Sequence, residues 1–190
     1  MTDLRCEEIS KMAYVLLKSC GIHKYPVNLR DLVLSKRLKK LGLRFDTYLQ
    51  YEKLKPGASA NLGSKDGVTV NLKEAGLYLI LYNTENRPQS RINWTITHEI
   101  AHALMGHREK DMVTEREADH FTKLILCHPL VLLKYGATER KGIQRLCGLS
   151  AQAAANRENE LRRVDYISFN KWDLFIVELF AEDIAEASII

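Results

Sequence analysis

From Thr95 to Leu104 the chain reads Thr-Ile-Thr-His-Glu-Ile-Ala-His-Ala-Leu, with no proline or glycine inside. The spacing predicts one helix. It opens near Pro88, a residue tolerated in a first turn, and runs to Met105, where Gly106 stops it. On such a helix His98 and His102 share one face, one turn apart. Two imidazoles so placed can converge on a single ion at ~2.0–2.1 Å. Glu99 is turned by about 100° around the axis, so it does not share the same bond. It can reach a water held by the ion, which is the place of a general base. Ile96, Ile100, Ala101, Ala103 and Leu104 are uncharged, so the helix is expected to be buried on most sides. Buried imidazoles then need polar partners.

A catalytic zinc takes three protein ligands and keeps one position open. The third is expected on the next helix, over Met112 to Cys127, in the run Glu115-Arg-Glu-Ala-Asp-His-Phe-Thr122. Ala118, Phe121 and Ile125 make its apolar face. Glu115 and Glu117 lie at opposite margins of that face, and periodicity does not choose between them. Asp119 follows Glu115 by one turn on the same side. Its carboxylate could accept the free ring N–H of a metal-bound histidine and fix its tautomer. That favours Glu115 as ligand and Asp119 as its support, with Glu117 as the alternative. His107, beyond Gly106, does not match the spacing of a three-histidine site and is expected to face solvent.

Composition sets the frame around this motif. The chain has 190 residues, 46% hydrophobic and 27% charged, which excludes a disordered protein and fits one ordinary domain. A net charge of +4 is too small to imply nucleic acid. Bases gather in residues 1–45 and acids from Trp172 onward, which reads as two solvated faces. Cys6, Cys20, Cys127 and Cys147 form no metal-binding spacing and read as thiols of a reducing compartment. Asp3, Glu7 and Glu8 argue against a secretory signal at the start. No apolar run approaches the ~20 residues of a spanning helix. A soluble, cytoplasmic protein with no membrane partner is expected.

Apolar periodicity predicts a helix over residues 3–20, closed by Gly21, and a short one from Leu29 to Arg37. A strand is expected in the second half of Arg37 to Tyr48, and better ones at Val68–Leu72 and Leu77–Tyr82. Further helices are expected over Thr138–Cys147, Ser150–Val164 and Asp173–Ala187. The fold class is α+β: mostly helical, with a small antiparallel sheet packed beside the helix that bears His98 and His102. Residues 1–165 are read as one domain that carries the His98/His102 motif. Residues 166–190 are read as a C-terminal helical extension packed on that domain, after a linker near Asp165 to Lys171. The stretch Thr138 to Val164, with Gly148 at a turn and Ser150 as a cap, has the outline of a helix-turn-helix.

The residues Arg91-x-x-x-Thr95-Ile-Thr-His-Glu-Ile-Ala-His, followed by Glu115-Arg-Glu-Ala-Asp-x-Phe121, resemble the ImmA/IrrE-type metallopeptidases. The resemblance spans about residues 5–165 and includes Leu149-Ser-x-x-Ala-x-x-x-Arg157-x-x-x-Leu161. It implies a zincin-like fold of the gluzincin kind, in which two motif histidines and a glutamate of the following helix hold zinc. It also implies cleavage, or promotion of cleavage, of a helix-turn-helix repressor in a mobile-element or stress-response circuit. The chain departs from the pattern at Thr122, where an alanine is usual, and at Cys127-His-Pro129; both bear on packing.

On this reading one Zn2+ per chain is held by His98, His102 and Glu115, with Asp119 orienting a ligand and Glu99 as the base. Substrate is expected to pair as a strand with a sheet edge at 57–62 or 67–72. Direct DNA contact is not expected. The alternative is a metal-containing regulatory protein that binds a repressor or DNA without hydrolysis.

Overall fold

The structure is a computed structural model that describes residues 2–58, 60, 62–163 and 169–187. In chain order the helices begin with α1 (Asp3–Ser19), α2 (Leu29–Leu34) and α3 (Lys36–Lys40), followed by strand β1 (Leu43–Thr47) and helix α4 (Tyr48–Leu54). Strands β2 (Gly67–Leu72) and β3 (Leu77–Tyr82) precede the two long helices α5 (Gln89–Met105) and α6 (Met112–Leu126). Five further helices follow among the described residues: α7 (Pro129–Lys134), α8 (Arg140–Cys147), α9 (Ala151–Leu161), α10 (Lys171–Leu179) and α11 (Ala181–Ala187). The fold is α+β and mostly helical. The chain divides into two compact units, Leu29–Thr122 and the two flanking stretches 1–28 and 123–190 taken together. Among the described residues no helix is long and apolar enough to cross a membrane.

In the Leu29–Thr122 unit the three strands are ordered β1-β3-β2. β2 runs antiparallel to β3, with Gly67 opposite Tyr82 and Leu72 opposite Leu77. β1 runs parallel to β3, with Leu43 opposite Tyr78. The sheet is therefore mixed, which corrects the antiparallel sheet expected above. The connections explain it. A single tight 3-10 turn, Lys73–Ala75, joins β2 to β3 and forces reversal. β1 and β3 are separated by α4 and β2, and so long a connection allows parallel pairing. Being central, β3 buries both Ile80 and Leu81, which point to opposite faces. Helix α5 lies against β2 and β3. Its Ile96, Ile100, Ala101 and Ala103 are buried, and a fully buried isoleucine or leucine contributes roughly 1.5–3 kcal/mol.

Two local features differ from the periodicity reading. The helix expected over Leu29–Arg37 is two helices, because the Ser35 hydroxyl accepts the Arg37 amide at 3.1 Å and starts a new one. Helix α4 was not expected. The Thr47 hydroxyl accepts the Gln50 amide at 3.1 Å and caps it.

In the other unit α10 packs on α1. The α1 stripe Ile9, Ala13, Leu16 and Leu17 is buried, as are Ile176 and Phe180. Asn170 and Asp173 form a capping box at the start of α10. The helix expected over Asp173–Ala187 breaks at Phe180, whose ring packs at 4.7 Å from that of Tyr25. The α8–α9 pair does carry a left-handed Gly148 and a Ser150 cap. Its Arg157 is buried, however, and both Nε and Nη2 donate to the Cys127 carbonyl, at 2.8 and 2.7 Å. The expected boundary at 165/166 lies outside the described residues, as does most of the expected linker. The four cysteines form no disulfide.

Candidate metal centre

The site is built on α5 and α6. Helix α5 ends at Gly106, which sits at φ +66 as the left-handed C-cap. There the Gly106 amide donates to the Ala103 carbonyl and the His107 amide to the His102 carbonyl, at 3.3 and 3.0 Å. This hydrogen-bonded turn folds His107 back toward the helix it follows. Helix α6 begins at a reciprocal cap. Asp111 Oδ1 accepts the Val113 and Thr114 amides, both at 2.8 Å, and the Thr114 hydroxyl accepts the Asp111 amide at 2.9 Å.

Three of the expected side chains come together. The Nε2 atoms of His98 and His102 face each other at 3.0 Å. The Glu115 carboxylate lies across both, with Oε2 3.3 Å from His98 Nε2 and Oε1 3.4 Å from His102 Nε2. One donor atom from each of the three lies within 4.8 Å of the others. Behind His98, Asp119 Oδ1 is 3.1 Å from Nδ1. Glu117 is turned away from this group: its Oε2 lies 3.1 Å from His107 Nε2. His107 is turned inward, which corrects the solvent-facing position expected from the sequence. Its side chain is 7% exposed, and its Nδ1 is 2.9 Å from His102 Nδ1.

Glu99 is also engaged. It is buried, with 4% of its side chain exposed. The Thr69 hydroxyl on β2 lies 2.8 Å from Oε2 and 2.9 Å from the Glu99 carbonyl. Lys110 Nζ donates to Oε1 at 3.0 Å. Gly67 makes this approach of β2 to α5 possible: a Cβ there would stand 2.3 Å from Thr95 Cγ2 and 3.4 Å from Glu99 Cγ.

The electrostatics of the two imidazoles diverge. Burial pulls His98 toward its neutral form, but Asp119, Glu99 and Glu115 outweigh burial and its pKa is raised. His98 thus sits where positive charge is favoured. Burial, then His98, Lys110 and His107, hold His102 down to about 3, so it is neutral at any working pH.

These residues fit a divalent cation. Glu115 Oε1 is buried and accepts no hydrogen bond among the described residues, which is costly for a carboxylate oxygen without a cation beside it. Two imidazoles and a carboxylate are also the donor set that zinc takes.

No protein-family model matches the chain, and no curated protein matches it. The likeness to ImmA/IrrE-type metallopeptidases therefore rests on the motif residues themselves.

Periodicity placed His98, Glu99, His102, Glu115 and Asp119 on their helices. It missed Lys110, Thr69 and the inward turn of His107. For His107 a signal was present, since a left-handed glycine cap returns the next residue toward the helix. For Lys110 and Thr69 the spacing carried none.

Proposed function

We propose that the chain is a zincin-like zinc metallopeptidase that binds one Zn2+ through His98, His102 and Glu115. The convergence of these three donors from α5 and α6 carries the reading. The bound ion would polarise a scissile carbonyl and bring the pKa of its water to about 7. Glu99 would take the proton of that water and deliver it to the leaving amine. Oε2 lies beside the Thr69 hydroxyl and Oε1 beside the half-exposed Lys110, so Oε1, whose partner can be displaced into solvent, would be the oxygen that receives the proton. Asp119 would orient His98 through its ring Nδ1.

Strand β2 pairs only with β3 among the described residues, and it carries Thr69 beside Glu99. Its open edge would accept an extended peptide next to the ion. The other candidate edge, 57–62, forms no strand at its described positions, and Ser59 and Asn61 lie outside them. The substrate class, a helix-turn-helix repressor, comes from the motif resemblance. Arg157, one of the bases of the α8–α9 pair, is spent on an internal carbonyl, so direct DNA binding is the weaker reading.

One observation favours a second reading. Both carboxylate oxygens of Glu99 are engaged, by Thr69 and Lys110. A protein that holds zinc and grips a repressor without hydrolysing it would look the same. The experiment that separates them measures zinc content and cleavage of candidate repressors, with and without chelator, in the native protein and in Glu99→Gln. A peptidase keeps its zinc and loses cleavage in Glu99→Gln. Retained repressor release by that variant decides for the binder, and absence of zinc after reconstitution removes the metal from both readings.

A further inference from the structure

The group that faces the back of His102 is another imidazole, and the hydrogens can be assigned from one end. A carboxylate only accepts, so the contact of Glu117 Oε2 with His107 Nε2 at 3.1 Å places a hydrogen on that nitrogen. To bind an ion through Nε2, His102 must carry its ring hydrogen on Nδ1, and His107 Nδ1, 2.9 Å away, is the acceptor placed to take it. His102 is left with its lone pair on Nε2, which points at His98 Nε2 and Glu115. Asp119 Oδ1, 3.1 Å from His98 Nδ1, is the carboxylate placed to favour the same tautomer on His98. In those tautomers the two Nε2 atoms, 3.0 Å apart, would both present lone pairs, with a carboxylate across them. A shared divalent cation would satisfy all three donors at once.

Burial makes the assignment consequential. His107 and Glu117 side chains are 7% and 10% exposed, so water has little access to replace either contact. The Gly106 turn fixes the His107 backbone beside the end of α5, with its amide donating to the His102 carbonyl.

We propose that His107 and Glu117 are positioning residues for the metal, a relay that locks His102 in the tautomer and ring orientation needed to bind through Nε2. The proposal rests on the metal reading given above and extends it to the support of the second histidine. His98 has its carboxylate in direct contact, whereas His102 receives the equivalent influence through an intervening ring. Glu117, the competing candidate for third ligand, thereby has a different task.

The test is zinc affinity of the full chain, measured by competition with a chromogenic chelator, alongside the melting temperature of the zinc-free protein. Removing an outer partner of a metal ligand costs about 10–100-fold in affinity. His107→Phe, which fills the space without an acceptor, is expected to fall in that range. His107→Asn is expected to restore most of the affinity, because its amide oxygen stands where Nδ1 stood. Glu117→Gln leaves the His107 ring in place and is expected to weaken zinc binding several-fold with little change in melting. This second variant keeps the test decisive where His107→Phe fails to fold. Native affinity in His107→Phe and Glu117→Gln, with one zinc bound in the wild type, overturns the relay and leaves the metal reading intact. No zinc in the wild type overturns both.

Discussion

Lys110 Nζ stands 3.0 Å from Glu99 Oε1, so a half-exposed ammonium holds the oxygen that would serve as the base. Its side chain is 44% exposed, and the chain can swing into solvent when substrate arrives. An ion pair with one exposed partner is worth up to about 1 kcal/mol, or roughly five-fold, and weakens with salt. Lys110→Met is therefore expected to raise repressor cleavage by up to about five-fold at low ionic strength. The difference from wild type should close as salt is added. A rate that falls instead would mean that Lys110 assists the reaction.

Ligand and support should separate in metal titrations. Asp119→Asn keeps the three donors and is expected to cost about 10–100-fold in zinc affinity. Glu115→Gln removes a charged donor and should cost more than Asp119→Asn. Calorimetric titration with zinc checks the order. Equal affinities for wild type and Glu115→Gln would exclude Glu115 as a ligand.

Gly67 is expected to tolerate no side chain. Thr95 is β-branched and stiff, so its Cγ2 cannot retreat easily from a Cβ at 2.3 Å. Overpacking of this kind costs about 1–3 kcal/mol. Gly67→Ala should lower the melting temperature, and the second change Thr95→Ala should recover most of the loss. Failure of the double variant to recover would place the cause outside this contact.

A separate acid sensitivity is expected in the unit containing α1 and α10. His128 is fully buried, with Nε2 3.1 Å from Asp173 Oδ1. Burial pushes His128 below its ordinary value near 6.5, against the opposing pull of Asp173. The unfolded chain therefore takes up this proton first as the pH falls. The stabilisation is complete above pH 6.5 and drains as the pH drops from there to the folded value, by up to about 1.4 kcal/mol per pH unit. Asp173 acts in a lower window. Burial opposes its charge, but His128, the Asn170 amide and Ser10 outweigh burial and lower its pKa. Its contribution is lost only as the pH falls below 3.8 and through the folded value. Melting curves at pH 7.5 and 5.5 should show a smaller difference in His128→Asn than in wild type. An equal difference would assign the acid sensitivity to other groups.

Helices α5 and α6 and strands β2 and β3 were legible because their signals are local. Pro88 and Gly106 bracket one helix, and the apolar spacing of Ala118, Phe121 and Ile125 marks the next. Helix α4 and the parallel pairing of β1 were not legible. The first depended on a single threonine cap, and the second on how a distant strand returned to the sheet.

By itself the sequence determined that His98 and His102 share a helical face with Glu99 beside them, and that Asp119 follows Glu115 by one turn. Those relations hold within one helix and need only its ~3.6-residue period. Tertiary structure alone decided which glutamate meets the imidazoles. Glu115 and Glu117 differ by about 200° around α6, so the choice depends on how that helix is rotated when its apolar side is buried. The same holds for His107 against His102, Thr69 against Glu99 and Lys110 over Glu99 Oε1. Each contact joins residues on different elements or beyond a helix end, where packing and not periodicity sets the distance.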